Sequence, residues 1–246
     1  VTLELGGKSP NIIFEDANLD DAVKGAISGI FAASGQTCIA GSRLLVQRSV
    51  YDKVTTKIVA IAANAKLGNP MEKTTQVGPI TTLQQRQKVL SYIDVARSEG
   101  ARCLLGGKMP EASELSNGWF VEPTIFGDVT NDMRIAREEV FGPVLSVIPF
   151  DDEQHAVEIA NDTLYGLASG VWTSSIRRAI GVADKIRAGT VWVNTYRAVS
   201  YLAPFGGYKR SGIGRENGQH AIDEYLQTKS VWINLAEGVA NPFVIR

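Results

Sequence analysis

Alternating strand-like and helix-like stretches along 246 residues predict an α/β protein, a mostly parallel sheet flanked by helices. Three observations carry that expectation. Short apolar runs recur with helical stretches between them. The first helical stretch shows a clear 3.6-residue apolar period. No internal repeat or low-complexity tract interrupts the alternation. The length suffices for one large or two modest domains, each with a real core.

The chain opens on a strand-like run at Val1, Leu3 and Leu5, and Asn11 to Phe14 is the next short apolar strand. Asn18 is placed to cap a helix whose first turn carries Asp20 and Asp21, where negative charge is favourable. Leu19, Ala22, Val23, Ala26, Ile27, Ile30 and Phe31 then give that helix one apolar face, and Gly35 ends it. Leu44 to Val46 reads as a strand and Val50 to Lys66 as a helix closed by Gly68. Leu83 to Glu99 is helical; Ala101 to Leu105 and Val144 to Phe150 are strands. Helices at Asp152 to Asp162 and Ser175 to Ile186 alternate with strands at Gly170 to Thr173 and Thr190 to Asn194. Polar Lys108 to Gly118, with Pro110, is a surface loop. A glycine-rich stretch, Gly206 to Gly218, leads to a short helix near Ile222 and a final strand, Ser230 to Leu235.

The charge balance, 25 Lys and Arg against 26 Asp and Glu, gives no reason to expect nucleic acid or an anionic membrane as partner. No apolar run approaches a membrane span, and the first residues lack a signal-peptide pattern. Two cysteines make no disulfide framework and fit a reducing compartment, so cytoplasm is the expectation. Starting at Val1 inside a strand-like run, the chain reads as a cut through a larger protein.

Two nucleotide-binding patterns fail on spacing. Gly7-Lys8-Ser9 looks like the tail of a P-loop, but the required earlier glycine position is Thr2. Gly212-Ile213-Gly214 begins a dinucleotide fingerprint whose third glycine should stand at Asn217 and stands at Gly218 instead. The chemistry points elsewhere. A cysteine is most often a small buried hydrophobe, and Cys103 fits that between Arg102 and Leu104. Cys38 departs from it: Gln36 and Thr37 precede it and Ala40-Gly41-Ser42 follow. Small neighbours let a substrate reach the sulfur, and nearby peptide N–H groups suit an oxyanion. Glu4 alone would be an edge-strand charge, but Gly6 and Gly7 close behind it allow a turn and close approach. Together Cys38 and Glu4 supply a nucleophile for a carbonyl carbon and a base that delivers water to the resulting thioester. Glu138-Glu139-Val140-Phe141-Gly142-Pro143 reads by itself equally as a solvated acidic turn. His155 and His220 stand alone, with no Ser-His-Asp pattern and no metal-ligand spacing.

Glu4-Leu5-Gly6-Gly7-Lys8-Ser9-Pro10 and Gly35-Gln36-Thr37-Cys38 resemble the two active-site signatures of the NAD(P)-dependent aldehyde dehydrogenase superfamily. The 138–143 run, Pro204-Phe205-Gly206-Gly207-Tyr208-Lys209 and Ser211-Gly212-Ile213-Gly214-Arg215-Glu216 match further landmarks in the same order. The resemblance implies Cys38 as nucleophile and Glu4 as general base. It implies Glu139 as the carboxylate on the nicotinamide ribose, with Phe141 beside it and Leu5 lining the nicotinamide end. Phe205 and the loop from Tyr196 to Leu202 match substrate-pocket positions, and the segment near Val231 resembles a subunit-contact element. In that loop Arg197 would suit a polar or anionic aldehyde, or would face solvent or pair with an Asp.

The implied cofactor is NAD or NADP, bound mainly by an N-terminal half this chain lacks. The implied partners are a small-molecule aldehyde and further copies of the protein in a homodimer or tetramer. Relatives that pass the acyl group to coenzyme A typically lack the glutamate, so Glu4 favours release of a free acid. The implied division is residues 1–6 as the end of the cofactor domain, 7–205 as the catalytic thiol domain, and 206–246 as the return to the cofactor domain with an oligomerisation strand. Two other readings stand beside it: an isolated catalytic domain with thiol-esterase activity only, and a non-catalytic structural or oligomerisation module, against which intact Cys38 and Glu4 weigh.

Overall fold

The computed structural model describes residues 1–238 and 243. Its centre is a seven-stranded sheet in the order β4-β5-β6-β3-β2-β7-β8. The strands are β2 (Pro10–Ile13), β3 (Arg43–Gln47), β4 (Arg102–Leu105), β5 (Thr124–Gly127), β6 (Val144–Phe150), β7 (Ala168–Trp172) and β8 (Thr190–Val193). Every neighbouring pair is parallel except β4 with β5. The α/β architecture with a mostly parallel sheet is therefore as the sequence predicts. A separate two-residue ladder joins β1 (Leu3–Glu4) to β9 (Gly212–Ile213) in antiparallel fashion.

Parallel strands covered on both faces need apolar side chains on both, and these have them. Ile12, Leu45, Phe126, Val144, Ile148 and Val171 point to one face. There they meet Val89, Ile93 and Ala96 of α3 (Leu83–Ser98), Ala156 and Ile159 of α5 (Glu153–Asn161), and Val182 of α6 (Ile176–Lys185). Ile13, Leu44, Val46, Ile125, Leu145 and Val147 point to the other. They pack on Ala22, Val23, Ala26 and Ile30 of α1 (Leu19–Phe31) and on Val54 and Ile58 of α2 (Tyr51–Ala62).

Asn18 caps α1 as the sequence indicates, its side chain accepting from the amides of Asp20 and Asp21 at 3.2 and 3.4 Å. One charge is built into the sheet itself. Arg43, fully buried at the head of β3, donates to the carbonyls of Lys8 (3.0 Å), Ile159 (2.8 Å) and Ala160 (2.9 Å) and to Asn131 Oδ1 (3.0 Å). Two of those carbonyls end α5, where a cation complements the helix dipole.

Three expectations change. The short strand β5 and the single-turn helix α4 (Arg134–Arg137) are present although the sequence reading passed over them. Helix α2 ends at Ala62, short of Lys66, because the chain turns there through Asn64 and Ala65 backbone bonds. The strand expected at Ser230 to Leu235 does not form: no ladder involves it, and Val231, Trp232, Ile233 and Leu235 are exposed. A strand needs a neighbour to take its backbone groups, and among the described residues none is offered there. Among those residues no helix is long and apolar enough to cross a membrane.

Removing the α1 cap gives a direct check. Asn18→Ala should lower the stability of the sheet–helix unit by about 1 kcal/mol in urea denaturation, with the slope unchanged. No loss would mean that water serves the first turn equally well.

Candidate active site

Sheet order brings three loops together. β6, β3 and β2 are adjacent and parallel, so the segments entering them emerge along one edge of the sheet. Those segments are residues 138–143, 35–42 and 4–9, the ones that carry Glu139, Cys38 and Glu4. Open parallel sheets more often place ligands at the carboxyl ends of their strands; here the candidate groups lie at the amino ends.

Glycine lets the loops touch. The Gly7 amide donates to Glu139 Oε1 at 2.9 Å. A Cβ on Gly6 would stand 2.4 Å from Glu139 Oε2, and one on Gly7 2.3 Å from the Cys38 carbonyl oxygen. No side chain fits either gap.

The turn before Cys38 is strained and firmly tied. Ala33, Ser34 and Gly35 all take left-handed backbone (φ 52°, 56° and 69°), a conformation that non-glycine residues hold only when their surroundings enforce it. Ser34 Oγ donates to the Gly78 carbonyl at 2.8 Å. Gln36 Oε1 accepts from the amide and the hydroxyl of Thr81, both at 2.8 Å, while its Nε2 donates to the Pro79 carbonyl at 3.3 Å.

Cys38 follows, half-buried, with its thiol donating to Glu4 Oε1 at 3.2 Å. Burial, then the hydrogen bond to Glu4 and its charge, push the thiol up to about 11; the amides of Ile39 and Cys38 pull the other way. The resting sulfur is thus a thiol beside a carboxylate. Glu4 itself is exposed, but its strand is fixed. Glu4 pairs with Gly212, Leu5 N donates to the Ser211 carbonyl at 2.9 Å, and Ser211 Oγ donates to the Gly6 carbonyl at 2.7 Å. Ser211 Oγ also accepts the Gly166 amide at 3.0 Å, which ties this strand to the start of β7. Gly212 and Ile213 are therefore spent as β9, in line with their poor match to a dinucleotide loop.

The remaining expected residues fall as follows. Phe141 is half-buried at φ 58°, and Gln85 Nε2 holds it by donating to the Val140 (2.8 Å) and Phe141 (3.0 Å) carbonyls. Leu5 is exposed beside Glu4. Phe205 is tied to Glu216 by two 2.7 Å backbone bonds and lines a cavity of about 390 Å³ with Trp192, Val199 and Pro204. Tyr196 is buried: its hydroxyl donates to the Ile39 carbonyl at 2.9 Å and its ring tilts on Trp192 at 4.8 Å. It backs the Cys38 turn from behind. Arg197 donates to the Ser28 carbonyl at 3.3 Å. Cys103 sits in β4 against the core, its sulfur near the carbonyls of Leu105 and Gly106. Among the described residues no cluster of His, Cys, Asp or Glu has the makings of a metal site.

Sequence reasoning missed Gln36, Gln85, Ser211, Arg43 and Lys8. Only Arg43 left a signal, a charge heading the apolar run Leu44-Leu45-Val46. Gln36, Gln85 and Ser211 act on backbone groups far away in sequence, which no local pattern marks, and the burial of Lys8 is a tertiary fact.

Comparison with known proteins gives the class to which this fold belongs. The sequence model of the aldehyde dehydrogenase family matches residues 1–231. Betaine aldehyde dehydrogenases from Brucella anthropi and from Bacillus subtilis are each 46% identical over 243 residues, 99% of this chain and 50% of theirs. An NAD+ complex of aldehyde dehydrogenase from Bacillus cereus superposes with a TM-score of 0.91 at 51% identity, over 96% of this chain and 47% of that one. Betaine aldehyde dehydrogenase from Staphylococcus aureus, also in complex with NAD+, gives 0.95 at 45% identity, over 99% of this chain and 48% of that one. The chain belongs to the aldehyde dehydrogenase family. It spans about half the length of the relatives it matches.

The thiol assignment has a test. Limiting iodoacetamide with peptide mapping, at a pH alkaline enough to ionise the raised thiol, should label Cys38, with its small neighbours, before Cys103. Its rate should climb with pH into the alkaline range, following the raised thiol. Glu4→Gln removes a negative neighbour, so it should shift that profile to lower pH. Preferential label at Cys103, or a profile untouched by the substitution, would contradict the arrangement.

Proposed function

We propose that this chain carries the chemical half of an NAD(P)-dependent aldehyde dehydrogenase, which oxidises an aldehyde to a free carboxylic acid through a cysteine-bound thioester. The observation that carries the reading is the 3.2 Å contact between the Cys38 thiol and Glu4, set on loops that also hold Glu139. The family membership supports it.

In this reading Cys38 gives up its proton to solvent and its sulfur adds to the aldehyde carbon. The amides of the Cys38 turn face the oxyanion that forms. A nicotinamide, when bound, accepts the hydride that leaves the tetrahedral carbon, and an acyl-thioester remains on Cys38. Glu4 then takes a proton from water, and the resulting hydroxide attacks the thioester to release the acid and restore the thiol.

The cradle suits the ribose of such a cofactor. Glu139 is held at one oxygen by Gly7, close packing at Gly6 leaves no Cβ in the way, and Phe141 is fixed beside it by Gln85. Glu139 would accept from the ribose hydroxyls, and Leu5 would border the ring. Phe205 and the loop that follows Tyr196 would form part of the aldehyde pocket, with Tyr196 supporting the Cys38 turn. The residues that fix the phosphates and choose between NAD and NADP would lie in a nucleotide-binding half like that of the relatives. A homodimer or tetramer in the cytoplasm is the assembly this reading expects, with a betaine-like or other small aldehyde as substrate.

Glu4→Gln in the full-length enzyme should slow deacylation by roughly 10²–10⁴-fold. The first hydride transfer should survive, because the thiol of that variant ionises more easily. Rapid mixing should show a burst of NADH followed by a slow steady rate. Loss of the burst as well would place Glu4 in the thiol step.

The chain by itself should not oxidise aldehydes. Hydride transfer needs the two reacting atoms at about 3–3.5 Å, and one ribose contact does not offset the entropy of fixing so flexible a cofactor. Calorimetric titration with NAD and an NADH assay on the purified chain check this, and saturable binding with turnover would overturn it.

A further inference from the structure

Lys8 is the buried charge that the proposed chemistry leaves without a task. It is 1% exposed, it directly follows the Gly7 amide that binds Glu139, and its Nζ has no hydrogen-bond partner. Lysine is almost never so deeply buried unpaired, because water has to be stripped from its three donors. Arg43, the other buried cation, is fully committed to three carbonyls and Asn131.

Tyr165 and Arg187 line one small cavity with Lys8, and the charges whose fields act on it come from three further elements. Arg43 lies on β3, Lys88 on α3, and Glu138 and Glu139 on the loop before β6. Burial, then Arg43, with a smaller push from Lys88, bring the amine down to about 7, while Glu139 and Glu138 act in the opposite sense. Glu138 is already spent. Arg134 grips it through two contacts at 2.8 and 3.0 Å, and the Tyr92 hydroxyl donates to it at 2.5 Å. Glu139 accepts only the Gly7 amide among the described residues. Lys8 and Glu139 are thus an amine and a carboxylate with no side-chain partner among the described residues, on a segment and a loop that the Gly7 hydrogen bond joins.

We infer that Lys8 is a positioning residue for Glu139: its amine draws the carboxylate into the Gly6–Gly7 cradle without filling the acceptor sites that a ribose diol needs. The inference rests on Glu139 being the ribose carboxylate. A direct lysine–glutamate contact would saturate the outer oxygen. A charge set further back orients the carboxylate through its field, strengthened by the low dielectric of the interior, and leaves the lone pairs open.

The protonated amine is the form that holds Glu139, so cofactor binding raises the Lys8 pKa above its free value. Affinity for NAD is then full below about pH 7 and falls as pH rises through the raised value in the complex.

Calorimetric NAD binding to the full-length enzyme, without substrate, from about pH 6 to about pH 9 brackets that transition. Wild type should lose affinity across the range. Lys8→Met, similar in length but uncharged, should bind about tenfold more weakly at the acid end and show no such loss. Glu139→Gln should also bind weakly, and adding Lys8→Met to it should cost little more, because both act through one carboxylate. Wild-type affinity and pH dependence in Lys8→Met, beside a weakened Glu139→Gln, would overturn the role of Lys8 alone. Unaltered binding by Glu139→Gln would overturn the ribose reading and this inference with it. Should Lys8→Met fail to fold, a flat wild-type profile is by itself a refutation.

Discussion

Contact between three loops without intervening side chains is the constraint on which the site depends. Gly6 and Gly7 give up their Cβ atoms so that Glu139 and the Cys38 backbone can lie against one short segment. That segment also carries Glu4, so Cys38, Glu4 and Glu139 are positioned by backbone contact across the entrances of three neighbouring strands. Parallel pairing makes this arrangement stiff. A shift of β3 against β2 or β6 would break a whole ladder of bonds and move Arg43 off its four acceptors. The precision of the thiol–carboxylate distance is thus inherited from the sheet.

Electrostatics sets a tension within that frame. A carboxylate beside Cys38 is useful to the proposed hydrolysis step, yet the same charge raises the thiol and keeps it protonated at rest. The exposed setting of Glu4 and the short two-residue ladder beneath it allow the carboxylate to leave the sulfur without unfolding anything larger. A carboxylate that turns from the sulfur to an incoming water would free the thiol for the first proposed step and serve the second. Glu139 shows the opposite economy, being held at one oxygen and open at the other.

Much of this was legible in the sequence. The apolar period of α1 and its Asn18 cap, the run Val144 to Phe150, and the small neighbours of Cys38 are local signals, and local physics reads them. The reason for the glycines at 6 and 7 was legible only in outline, as room for some other group; that the groups are Glu139 and the Cys38 carbonyl is a tertiary fact. Gln85, Gln36 and Ser211 work by holding distant backbone, so nothing around them in sequence betrays them. The strand expected at Ser230 to Leu235 shows the converse. Its residues favour a strand, but a strand is a relation between two segments, and the second is not among the described residues.

Some of the apolar side chains left exposed fall where the proposed division of labour would put them. Leu3, Leu5 and Ile213 are exposed on the small sheet around Glu4, and Val231, Trp232, Ile233 and Leu235 on the closing segment. The seven-stranded core, by contrast, is closed on both faces. A nucleotide-binding half docked on the small sheet would cover Leu3 and Leu5 and draw water from around Glu4 and Cys38. Removing that water would strengthen every charge interaction in the site, so the electrostatics of the thiol belong to the assembled enzyme more than to this chain alone. Under the proposed division of labour, the surface that would bind a cofactor domain is also the surface that carries Cys38 and Glu4, which would couple docking to the chemistry.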